Sequence, residues 1–139
     1  VIGETIEKSH PALKRYAGTL EELVPQLATQ IEVLVARHGA KLHLMQLAQK
    51  RIADIAIDLY AMSCLLSRVT RTIEERGGAD KCEVELAITG AFFMRAENRI
   101  KANFRAIDRN DDDQIKFLAE KAYELGRYPF DIVQGTQGA

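Results

Sequence analysis

The sequence predicts an all-α fold, an antiparallel up-down bundle of four main helices with one unusually long central helix. Three features carry that expectation. Apolar residues recur every three or four positions through most of the chain, the period of a helix with one buried face. No segment shows the two-residue alternation of a half-buried strand. Glycines punctuate the pattern at Gly39, Gly77-Gly78 and Gly126, where a residue free to take positive φ ends a helix. At 139 residues, with 47% hydrophobic and 28% charged side chains, the chain has the size and balance of one soluble domain with its own core.

Residues 1–18 read as a lead-in and a short helix, residues 19–126 as the bundle, and residues 127–139 as a C-terminal strap and tail. Pro11, after Ser9 and His10, suits a first helical turn because its missing N–H would have no partner there. The ALKRYA segment is expected to stop or bend at Gly18. Thr19 then caps a new start: Thr19-Leu20-Glu21-Glu22 fits a capping box in which hydroxyl and carboxylate each satisfy an orphan backbone N–H. Leu20, Leu23, Leu27, Ile31, Leu34 and Val35 form the core stripe of this helix, bent by Pro25 and ended by Gly39. A tight turn at Gly39-Ala40-Lys41 implies antiparallel neighbours.

The long helix follows, with no Gly or Pro from Leu42 to Arg76, a rod of roughly 50 Å at about 1.5 Å per residue. Ile52, Ile55, Leu59, Met62, Leu66 and Ile73 line one face. Ile57, Ala61, Cys64 and Leu65 point elsewhere, so this helix is expected to be covered on several sides. Gly77-Gly78 ends it, and Asp80 is placed to cap the next helix, which spans Lys81 to about Asp108. The acidic run Asn110-Asp111-Asp112-Asp113 suits the positive end of a last helix expected to bury Ile115, Leu118, Ala122 and Leu125. Tyr128-Pro129-Phe130 is placed to strap back over the bundle, and residues 134–139 to fray.

Nineteen basic against twenty acidic residues give a formal charge of -1, which provides no basic field for nucleic acid. Arg51, Asp54 and Asp58 make the long helix too polar to span a membrane. No secretory or transit signal is recognisable, and the absence of an initiator methionine points to a piece of something longer. Cys64 and Cys82 lie too far apart for a CxxC motif, and so few cysteines fit a reducing compartment. There is no glycine-rich phosphate loop, H-E-x-x-H or nucleophile elbow. The one Glu-x-x-His spacing, Glu7 to His10, precedes Pro11, and His38 and His43 flank a turn. No catalytic, cofactor-binding or metal-binding residue is therefore assigned.

Arg51, Asp54 and Asp58 follow at i,i+3 and i,i+4 steps and share a helix face. They read as an ion-pair ladder tying the long helix to a neighbour, with Arg95 or Arg99 as partners. Acid–base chemistry from the paired carboxylates would need a cleft and separated pKa values. Arg68 and Arg71 read as solvated cations, the alternative being a hold on a carboxylate or phosphate. Phe92-Phe93-Met94 cannot all face one core, since helix neighbours diverge by about 100°. Either the core is broad or one of them meets a second protein body or a membrane surface. Ile57, Ala61, Leu65, Arg68, Arg71, Phe92 and Phe93 together form the candidate interface.

The run RIADIAIDLYAMSCLLSRVTRTI, Arg51 to Ile73, closely resembles the extra C-terminal domain of very-long-chain acyl-CoA dehydrogenases and their bacterial relatives. HPALKRYAGTLEEL and LVARHGAKL are similar to the opening of that domain, while residues from Asp80 onward resemble it mainly in helical layout. The resemblance implies a parent enzyme that desaturates a fatty acyl-CoA between Cα and Cβ in fatty-acid β-oxidation, with FAD as hydride acceptor and a glutamate as base. In that family these groups belong to a preceding dehydrogenase core, so no catalytic or cofactor residue carries over to this segment. It also implies an accessory domain that covers the core and supports a homodimer, with peripheral docking to a membrane or partner protein in some relatives. The expected location is the bacterial cytoplasm or the mitochondrial matrix.

Overall fold

A computed structural model describes residues 6–127, and every main element among them is a helix. These are α1 (Lys14–His38), α2 (Gln46–Arg76), α3 (Glu83–Asp108) and α4 (Asp112–Leu125). Short 3-10 turns at Pro11–Leu13, Gly39–Leu44 and Ala79–Lys81 introduce the first three. The all-α expectation holds, and the long helix is α2, 31 residues packed against both α1 and α3. At about 1.5 Å per residue it extends for roughly 46 Å. Two compact units divide the chain, Val1–Asp108 and Arg109–Ala139. The strap proposed at Tyr128-Pro129-Phe130 and the tail at 134–139 lie outside the described residues.

In the first unit the chain opens at Pro11, where His10 Nδ1 accepts from the Ala12 N–H at 3.2 Å and caps the turn. The expected break at Gly18 does not occur, because α1 runs unbroken from Lys14 to His38. Thr19 lies inside the helix and its hydroxyl donates back to the Arg15 carbonyl at 3.2 Å, so no capping box forms. Leu13, Ala17 and Leu20 are all buried, one helical face continuous across Gly18. Their burial outweighs the roughly 1 kcal/mol that an interior glycine costs. The stripe narrows beyond Pro25: Leu34 is buried, but Ile31 and Val35, expected in the core, are exposed.

The link to α2 is longer than the expected tight turn, a six-residue 3-10 stretch, so α2 starts at Gln46 and not near Leu42. Ile55, Leu59, Met62, Leu66 and Ile73 of the predicted face are buried, joined by Ala48, Val69, Thr70 and Asp58. The helix ends where Gly77 takes φ +74°, letting the Gly78 N–H donate to the Ile73 carbonyl at 3.0 Å. Asp80 sits in the following 3-10 turn, and α3 begins only at Glu83. Thr89, Phe93, Ala96, Ile100 and Ile107 form the buried face of α3. The Thr89 hydroxyl is satisfied by donating to the Glu85 carbonyl at 2.7 Å, which permits its burial.

Helix α4 starts with the Asp112 N–H donating to Asn110 Oδ1 at 3.2 Å and stops at Gly126, φ +64°. The burial expected for Ile115, Leu118, Ala122 and Leu125 is not found. Ala122 is half-buried and the other three are exposed.

Candidate functional site

The polar group that the long helix carries resolves into separate pairs. Asp54 Oδ2 accepts from Lys50 Nζ at 2.6 Å, one turn back along α2. Asp58, one turn further, reaches across to α3: Arg99 Nε donates to Oδ2 at 3.0 Å and Nη2 to Oδ1 at 2.6 Å. This fork occupies both carboxylate oxygens, so neither is placed to move a proton to or from a substrate. The hydrogen bond to Asp58 holds the Arg99 guanidinium above its ordinary pKa. Arg51 is half-buried on the same helix. Of the two partners expected for this face, the structure selects Arg99.

Phe93, expected among the interface residues, belongs to the core. It is 2% exposed, with its ring centroid 4.8 Å from that of Tyr16. Phe92 is half-buried and packs on the core from the flank, leaving Met94 as the exposed member of the cluster. On α2, Leu65 also packs on the core, Ala61 is half-buried and Ile57 is exposed. Arg71 pairs with Glu75 at 2.7 Å, whereas Arg68 has no ion-pair partner among the described residues. Cys64 is exposed beside Tyr60, and Cys82 is buried. The hydrogen bond to Cys64 and the charge of its thiolate push the Tyr60 phenol above its ordinary pKa.

Two recesses open on the surface of the first unit. A cleft of about 740 Å³ between α1 and α3 is lined by Gln26, Thr29, Gln30, Lys101 and Arg105 over Pro25 and Phe104. Among the described residues Gln30 Nε2 is enclosed there without a hydrogen-bond partner. The other, about 600 Å³, lies where residues 7–11 cross α2 at Ser67, Thr70, Arg71 and Glu74. Among the described residues no cluster of His, Cys, Asp or Glu could hold a metal, and no helix is long and apolar enough to cross a membrane.

Sequence reasoning missed the ties that fix the lead-in. The Ile6 N–H donates to Glu21 Oε1 at 2.6 Å and the His10 N–H to Thr70 Oγ1 at 3.2 Å. It also missed Arg37 Nη1 with Asp108 at 3.1 Å and Arg76 Nη2 with Glu85 at 2.8 Å. These partners share no local spacing, and only the antiparallel layout brings them together.

Comparison with known proteins settles the family. The sequence profile described as "ACAD9/ACADV, C-terminal domain" matches residues 11–127. The chain belongs to the ACAD9/ACADV C-terminal domain family. Its helices α1, α2 and α3 and nearly all of the described residues fall within that match. The chain is 32% identical over 108 residues to the mitochondrial very long-chain specific acyl-CoA dehydrogenase of Rattus norvegicus, covering 78% of this chain and 16% of that protein. The Mus musculus protein of the same name is 31% identical over the same shares, and the Homo sapiens protein 32% identical over 70% of this chain and 15% of its own length. The ACAD9/ACADV C-terminal domain described here thus spans about one sixth of the relatives it matches.

Proposed function

We propose that this ACAD9/ACADV C-terminal domain is an accessory module of an FAD-dependent acyl-CoA dehydrogenase of fatty-acid β-oxidation. It packs on the dehydrogenase core and supports a homodimer, while the flavin, the acyl-CoA and the catalytic base belong to the remainder of the longer polypeptide. The family assignment, together with relatives of which this chain matches only 16%, carries that reading. In this reading no step of the dehydrogenation is routed through these residues. Apolar side chains left on the outer faces of α2 and α3, among them Ile57, Tyr60, Ile88 and Met94, support a module that meets another protein body. The mitochondrial relatives favour a matrix location, with bacterial cytoplasm the alternative.

Deleting residues 1–139 from the longer polypeptide tests the reading. The expected product keeps its flavin absorbance but melts at a lower temperature and loses dimer on sedimentation. An unchanged melting temperature and dimer would oppose an accessory role. A second reading, a docking module for a membrane or partner protein, is favoured only by the exposure of Arg68 and Met94. Co-sedimentation with anionic vesicles that persists unchanged in Met94→Asp would remove Met94 from it.

A further inference from the structure

The two flanks of the α2–α3 pair are not equivalent. On one, α1 is seated: the Tyr16 ring packs tilted against Phe93, and its hydroxyl stands 3.0 Å from where a Cβ on Gly90 would project. The same flank holds Thr70, which accepts from the His10 N–H. The other flank is marked by the Asp58–Arg99 fork. Phe92 lies seven residues before Arg99, about two helical turns, and shares its face, as does Ile88 one further turn back. Ala61 and Leu65, at i+3 and i+7 from Asp58, lie on the matching face of α2. The side of α2 and α3 away from α1 thus carries half-buried Ala61, Leu65 and Phe92 together with Ile57 and Ile88, which are 64% and 56% exposed. Arg68 and Arg95 border it, both exposed and without an ion-pair partner among the described residues.

We propose that this face, on the side of α2 and α3 away from α1, is the surface through which the module seats against the remainder of its longer polypeptide, receiving an apolar surface bordered by carboxylates. The inference rests on the accessory reading above and adds the face and its chemistry. The occupant follows from two observations. The relatives carry about five sixths of their length outside the matched segment, a body large enough to cover this face. Arg68 and Arg95, exposed and without an ion-pair partner among the described residues, select acidic neighbours, since two cations left against a neutral or basic surface would repel or lose hydration.

Cys64 reports on this face. It lies one turn from Tyr60 and Arg68 and two turns from Ile57 and is exposed, whereas Cys82 is fully buried and serves as the internal reference. The test is iodoacetamide footprinting, read peptide by peptide by mass spectrometry, on the 139-residue chain and on the longer polypeptide. Cys64 is expected to react as an open thiol in the former and at least tenfold more slowly in the latter. Ile57→Asp, an exposed substitution that leaves the melting temperature of the 139-residue chain unchanged, is expected to restore fast labelling in the longer polypeptide. Equal rates for Cys64 in both proteins would overturn the assignment of this face. If the longer polypeptide nevertheless scattered X-rays as a single rigid body, the accessory reading would survive with another face in contact. Scattering from two independently moving bodies would sink the accessory reading itself.

Discussion

At Asp58 the charge is shielded and its partner is not: the carboxylate side chain is 12% exposed and the Arg99 side chain 52%. That asymmetry sets the size of the effect. Removing one member of a fully buried pair strands the other and costs about 3–5 kcal/mol, but Arg99 stays hydrated when Asp58 is neutralised. Asp58→Asn is therefore expected to lower stability by about 1.5–3 kcal/mol in urea denaturation, a loss typical of hydrogen bonds to charged groups. Phe93 and Met94 are adjacent in sequence and opposite in environment. Phe93→Ala empties a buried site beside Tyr16 and should cost about 3–5 kcal/mol, while Met94→Ala should stay within about 0.5 kcal/mol. Tyr60 offers a spectroscopic readout of the outer face of α2. Ionising its phenol beside the Cys64 thiolate places two negative charges together, so Cys64→Ala should bring the Tyr60 titration, followed by phenolate absorbance, down toward the ordinary tyrosine range.

Two interior glycines separate helix propensity from packing at the scale of the element. A Cβ on Gly18 would meet nothing within 4 Å, so Gly18→Ala should stabilise α1 by about 0.5–1 kcal/mol through propensity alone. A Cβ on Gly90 would stand 3.0 Å from the Tyr16 hydroxyl, forcing the ring to shift. Gly90→Ala should forfeit that gain and come out neutral or destabilising, with the pair compared by thermal denaturation. The same two residues show what could be read from sequence. Gly90 falls inside the helix read from Lys81 to about Asp108, as the helical period around it indicates. Gly18 was misread as a break and Thr19 as a cap, because the local signals are genuine but weak beside the burial of Leu13, Ala17 and Leu20. The stops at Gly77 and Gly126 were legible because positive φ there admits few other residues.

Across the whole molecule, the helical class, the long α2 and the family were all legible, since hydrophobic period and a long matching run are properties of the sequence itself. What joins the helices was less so. The Asp58–Arg99 fork could be narrowed to two arginines, but the Arg37–Asp108 and Arg76–Glu85 pairs depend on the register of antiparallel helices, which sequence spacing does not fix. Phe93 was misassigned to an interface because three consecutive large apolar residues do not say which of them faces inward. At this scale the proposed role is that of a scaffold, with the redox chemistry of the longer polypeptide residing outside these residues. The most direct measurement is calorimetric titration of the folded 139-residue chain with FAD and with a long-chain acyl-CoA. The account predicts no binding of either at micromolar concentration; stoichiometric micromolar binding of FAD to the 139-residue chain would contradict it.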